Sequence, residues 1–252
     1  MKIPLVLFAA SIAVFSGCEK SATISLNYAT TGIGVHNAAK YDVGKVFVWQ
    51  PANNLVRDLA DVDARASGYS ETPVQATTDT AREVRGFVTS NNFQATPAQR
   101  ASMELKASNA TNIAYSNYKI STSDDTRGAM AAYINARPEA VAADWALDEA
   151  IASGGTYYVT VFKTIETETA SLEVGRELSG SASVNVPSVE GDVNISLSDT
   201  SAIQCNGRQR CFFDVRIYQP YRNGSGNYDF RRPLSKGVDR RAFVEDLRGS
   251  IR

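Results

Sequence analysis

The chain has 252 residues, with 26 Lys and Arg against 27 Asp and Glu, a net charge of −1 at pH 7. That balance excludes a global electrostatic attraction to nucleic acid. A hydrophobic share of 43% is ample for a sizeable core, and one histidine in the whole chain excludes a His-rich metal site.

The N-terminus reads MKIPLVLFAASIAVFSGC. Lys2 supplies a positive n-region, Ile3 to Phe15 form a short apolar run, and small residues precede Cys18. The run is too short to span a bilayer and has the layout of a secretory signal. At Phe15-Ser16-Gly17-Cys18 the segment resembles the lipobox of bacterial lipoproteins. The resemblance covers residues 1–18 only. It implies a signal peptide over 1–17 and a Cys18 that carries diacylglycerol on its thiol and an acyl chain, such as palmitate, on its amine. Each buried lipid CH2 contributes about 0.8 kcal/mol, so several chains anchor a protein where one holds it only reversibly. Glu19 follows the cysteine; in Gram-negative lipoproteins an Asp there signals retention in the inner membrane. The resemblance therefore implies a cell-envelope protein of the outer membrane, facing the periplasm or the surface.

Residues 18–252 read as a single envelope domain. TISLNY (Thr23 to Tyr28) alternates polar and apolar residues as a half-buried strand does. After the turn TGIG, KVFVW (Lys45 to Trp49) is a second strand, stopped by Pro51. Leu55, Leu59 and Val62 stand at helical spacing, which predicts a helix over 54–66. Residues 67–92 are Ser/Thr-rich and read as loop, with one strand or helix piece near Arg82 to Thr89.

Thr96-Pro97-Ala98-Gln99 is a capping-box start with Pro at the first helical position, for a helix running to Ser108. Ser123-Asp124 caps a second helix through Ala136, and Pro138 opens a third, PEAVAADWALDEAIA, ended by Gly154-Gly155. From Tyr157 the period changes. YYVTVFKTI is β-rich; Ala182, Val184 and Val186, then Val193, Ile195 and Leu197, alternate with polar residues as a hairpin or two neighbouring strands would. CFFDVRIY (Cys211 to Tyr218) is a further strand, Tyr221 to Pro233 a polar connection. Phe243, Leu247 and Ile251 mark a C-terminal amphipathic helix. The fold class expected is α+β, an antiparallel sheet with a helical middle segment and that final helix.

With Cys18 acylated, Cys205 and Cys211 remain, enclosing the turn-prone Asn206-Gly207. In an oxidising periplasm they form a disulfide, read as a hairpin staple. Acidic residues predominate over 121–180, ten against four basic ones, whereas 205–252 holds eleven basic against five acidic. Either the two regions face one another or present solvated faces, or the C-terminal part presents a basic surface to an anionic partner such as lipid headgroups.

Chemistry is hard to find. His36 follows TGIG and reads as an exposed loop residue, and Gly32-Ile33-Gly34 as a plain turn lacking a phosphate loop's third glycine. No G-x-S-x-G occurs. Glu166 and Glu168 share one strand face, which suits either a two-carboxylate hydrolase or a solvated surface. Leu234-Ser235 matches part of an Asn-x-x-Leu-Ser pattern of peptidoglycan-binding domains, but Arg231 stands where the Asn belongs, and the match fails. No catalytic residue, metal ligand or cofactor is assigned. The function expected is a lipid-anchored envelope protein with a non-enzymatic binding or structural role. Its partners are the membrane and an envelope protein, not nucleic acid. A membrane-inserting protein using segment 180–200 and an envelope hydrolase are the alternatives.

Overall fold

The computed structural model describes residues 20–65, 68–75, 79–81, 83–109, 111–174, 182–185, 192–198, 203, 205–234 and 238–251. β1 (Lys20–Thr31) buries Ala22, Ile24, Leu26 and Tyr28 in the alternation that TISLNY predicts. TGIG then closes a hairpin to β2 (Gly34–His36). The Thr31 hydroxyl accepts from the Ile33 and Gly34 N–H groups, each at 3.2 Å, and donates to the Gly34 carbonyl at 2.9 Å.

β3 (Lys45–Gln50) forms where KVFVW predicts it. The helix expected over 54–66 does not. A 3-10 turn at Pro51–Asn53 and a left-handed Asn54 (φ 49°) reverse the chain. The segment becomes β4 (Leu55–Asp61), antiparallel to β3. β3 is buried from Val46 to Trp49, so its outer backbone groups need a protein partner, and that requirement outweighs the helical spacing of Leu55 and Leu59. The Ser/Thr-rich stretch likewise holds more strand than expected: β5 (Tyr69–Val74), β6 (Asp79–Ala81) and β7 (Arg85–Ser90).

α1 (Pro97–Asn109) starts with the capping box. The Thr96 N–H donates to Gln99 Oε1 at 2.7 Å, and the Gln99 N–H to Thr96 Oγ1 at 3.3 Å. β8 (Thr111–Ser123) leads to α2 (Thr126–Asn135), whose cap is Asp125, one residue past the expected pair, accepting from the Gly128 N–H at 2.8 Å. The single helix expected from Pro138 is two, α3 (Pro138–Asp144) and α4 (Leu147–Ser153), with Ala146 left-handed at φ 53° between them. On one helix Trp145 and Leu147 would point about 200° apart. Both are buried in one cluster, at 1% and 0% exposure, and the break allows it.

β9 (Tyr157–Val174) is followed by the expected hairpin of β10 (Ala182–Asn185) and β11 (Asp192–Leu197). β12 (Cys205–Arg222) is much longer than CFFDVRIY, and β13 (Tyr228–Arg231) doubles back on it inside the stretch expected as a polar connection. α5 (Arg240–Ser250) buries Phe243, Val244 and Leu247, while Ile251 stays 49% exposed past its end.

Among the described residues thirteen strands join in one sheet. β9 and β12, paired antiparallel, are its spine. β3 and then β8 share the other edge of β9; β2 and then β13 share the other edge of β12. β2 passes the sheet on to β1, flanked by β7 and β11. The sheet is mixed rather than wholly antiparallel, because β1 and β11 run parallel, from Lys20 opposite Val193 to Ile24 opposite Leu197. Parallel neighbours need a crossover, and the strands and helices between β1 and β11 in sequence supply it.

Among the described residues three cores follow one another along the spine. The first gathers Ile24, Met103, Ile113, Val193, Ile195 and Phe212 about the start of β12. The second packs Phe47, Trp49 and Phe213 on Phe243 and Leu247 of α5. The third sets Met130, Ile134 and Trp145 of the α2–α4 layer on Tyr158, Tyr218 and Phe230.

Candidate functional site

A cavity of about 510 Å³ opens where the α3–α4 corner meets the β12–β13 hairpin. Pro138 and Ala142 on α3 and the left-handed Ala146 give it a small-residue wall, and Glu139 and Glu149 stand at the rim. Arg222, the last residue of β12, and Tyr228, the first of β13, face that wall because the hairpin register pairs them.

Between the walls lies one polar cluster. Arg222 donates to Asp148 Oδ1 from Nη2 at 2.7 Å and from Nε at 3.3 Å. Its Nη1 donates to the Gly226 carbonyl at 2.9 Å. The Tyr228 hydroxyl donates to Asp148 Oδ2 at 3.0 Å and accepts from Arg222 Nη2 at 2.6 Å. The guanidinium carbon lies 4.1 Å from the Tyr228 ring centroid. These contacts hold the Asp148 carboxyl below the usual carboxylate range, through Arg222 first and then Tyr228. Burial, then the bond to Asp148, pushes the Tyr228 phenol up, and Asp148 raises Arg222 further. Each group moves away from neutral pH, the wrong direction for a general acid or base. The cluster is a hydrogen-bonded unit with a planar guanidinium beside an aromatic face.

A smaller cavity of about 290 Å³ lies at the start of α5, between Arg85, Arg240, Arg241 and Glu83. Its cations are largely engaged: Arg240 pairs with Asp214 at 3.1 Å, and Arg241 with Glu104 and Glu245. Burial raises the Glu104 carboxyl, more than Arg241 lowers it.

The residues singled out in the sequence fall elsewhere. Cys18 lies outside the described residues, as does the signal segment. Cys205 and Cys211 are bonded, with Cα atoms 5.9 Å apart. They do not staple a hairpin. Both sit on β12, whose pairing with β9 slips between Asn206 and Gln209 and again between Arg210 and Phe212. A straight strand would hold residues six apart at about 20 Å, so the bond closes an irregular, bulged stretch. His36 is 7% exposed, not a loop residue: it ends β2 opposite Phe212, with no hydrogen bond at Nδ1. Its imidazole is held below the ordinary value, mainly by burial and against a bond to the Leu26 backbone. Glu166 pairs with Lys119 at 3.6 Å and Glu168 accepts from Asn117 Nδ2 at 2.8 Å, surface contacts between β8 and β9.

The acidic and basic regions do meet. Arg222 reaches Asp148, and Arg216 lies 3.9 Å from Asp124. Sequence reasoning missed Arg222 and Tyr228 because NGSGN between them reads as a loop, and only the hairpin makes them neighbours. Among the described residues no three His, Cys, Asp or Glu stand together as a metal site, and no helix is long and apolar enough to cross a membrane. Comparison with protein-family models gives no match, and comparison with curated proteins gives none.

Proposed function

We propose that this chain is a lipid-anchored cell-envelope protein with a non-enzymatic binding role. Its lipid is carried at Cys18, and its recognition surface is the cleft between α3–α4 and the β12–β13 hairpin. The observation that carries the binding reading is the internal saturation of Asp148, Arg222 and Tyr228, with protonation equilibria that all move away from neutrality. A cleft of about 510 Å³ with such fixed groups orients a partner better than it moves protons. The membrane-inserting alternative has less support. Val193 and Ile195 of segment 180–200 are 0% exposed in the first core, and β11 is paired to β1.

Two measurements test the proposal. A palmitate analogue should label the expressed protein but not Cys18→Ala; equal labelling would remove the anchor. A photocrosslinker at Ala143, on the exposed wall of the cleft, should capture one envelope protein in intact cells. Arg222→Glu should abolish that capture. Capture undiminished in Arg222→Glu would show that the cleft is not the recognition surface.

A further inference from the structure

Resting on the lipid anchor just proposed, the start of the folded chain sets how the domain stands on its membrane. Only Glu19 separates Cys18 from Lys20, where β1 begins. Two residue steps span at most about 7 Å. The leash cannot lengthen by fraying, because β1 is an interior strand. Lys20 pairs with Val193, Ala22 with Ser90, and Ala22 and Ile24 are buried in the first core. Further along, the Ser21 N–H donates to Asn92 Oδ1 at 2.8 Å, and the Asn91 N–H to the Ser21 carbonyl at 2.9 Å.

β1 is antiparallel to β2, and β2 to β12, so β1 and β12 run in the same direction. Thr30 of β1 lies opposite Val35, and Val35 opposite Phe213. From Lys20 the strands therefore lead away from the anchor to Thr30, across to Phe213, and on to Arg222. At about 3.3 Å per residue the path from Lys20 to Thr30 and from Phe213 to Arg222 runs to about 60 Å before twist and bulges shorten it, so Lys20 and the cleft stand at opposite ends of the spine.

We propose that the pole of Lys20, Asn91, Asn92 and Gln94 rests against the headgroups of the bilayer that holds the lipid, with the Asp148–Arg222–Tyr228 cleft turned away from it. Among the described residues of this end, Asn91, Asn92 and Gln94 are polar, uncharged and exposed. The short leash is what holds it there. The cleft then takes a partner that arrives from the aqueous side, not a component of the same leaflet.

The acylated Cys18 and the bonded Cys205–Cys211 pair leave an introduced cysteine as the single free thiol. Gln94→Cys at the near pole and Ser225→Cys in the β12–β13 turn would each carry a fluorophore. The full lipidated chain is placed in phosphatidylcholine vesicles containing a lipid with a nitroxide on its headgroup. The expected result is loss of fluorescence at position 94 and none at position 225. Inserting about 30 Gly/Ser residues after Glu19, with a reach of about 30 Å, should remove the difference. Vesicle-bound protein quenched equally at both positions, or more at 225, overturns the orientation and leaves the anchor standing. Protein that does not bind vesicles at all overturns the anchor, and the orientation with it.

Discussion

Breaking the Cys205–Cys211 bond should loosen the near end of the spine by a calculable amount. The cysteines are six residues apart, yet their Cα atoms are 5.9 Å apart, so the bond closes a loop of about seven residues. In the chain-entropy model such a loop is worth about 2 kcal/mol at 25 °C. Both residues are buried, at 4% and 1% exposure, within the first core. Cys205→Ala with Cys211→Ala would therefore also remove two packed sulfurs, about 1 kcal/mol each by comparison with a methylene. The expected order of stability is oxidised, then reduced by about 2 kcal/mol, then the double alanine by about 4 kcal/mol. Urea denaturation followed by far-ultraviolet circular dichroism reads this as a midpoint drop of about 1 M on reduction, for a slope of roughly 2 kcal/mol per M. Backbone amides of β9 from Thr164 to Ala170, which face the bulged stretch, should lose hydrogen-exchange protection first. Equal midpoints with and without reductant would refute the reasoning, since the pair would then add nothing that the sheet does not already impose.

Three other substitutions probe the remaining layers. Ala146→Gly relieves the left-handed conformation between α3 and α4, and should stabilise the protein by about 1 kcal/mol in the same denaturation; a destabilised variant would mean that the Ala146 methyl packs rather than strains. Gly86→Ala would bring a Cβ to 2.7 Å from Ile24 Cγ2 and 2.8 Å from the Ser25 carbonyl. It should cost about 1–3 kcal/mol, and a thermal midpoint unchanged from wild type would contradict the close approach of β7 to β1. Burial holds His36 below its ordinary value, so the unfolded chain binds a proton that the native one refuses. Stability is then fully present above the unfolded value of about 6.5 and falls as pH drops through it, by at most about 1.4 kcal/mol per pH unit. His36→Leu should flatten that part of the profile between pH 7 and 5; an unaltered slope would assign it to other groups.

Local chemistry is written plainly along much of this chain. Thr96 and Gln99 announce α1 because a capping box satisfies two helix-end N–H groups within four residues. The alternation of Thr23 to Tyr28, and of Val193 and Ile195, is legible because a half-buried strand has period two. The α+β class, the C-terminal helix and the pairing of the last two cysteines follow from signals of that short range. What the residues near each position could not state is which distant partner would claim them. Leu55 and Leu59 fit a helix, but β3 needed a strand beside it. Trp145 and Leu147 fit one helix, but the third core needed both inside. His36 reads as loop until β12 covers it, and the parallel pairing of β1 with β11 joins residues separated by most of the chain. The cleft is the extreme case: Asp148 meets Arg222 and Tyr228 across 74 and 80 residues of sequence. Backbone groups buried in a sheet must be paired, and that demand is met by whichever strand reaches them in three dimensions.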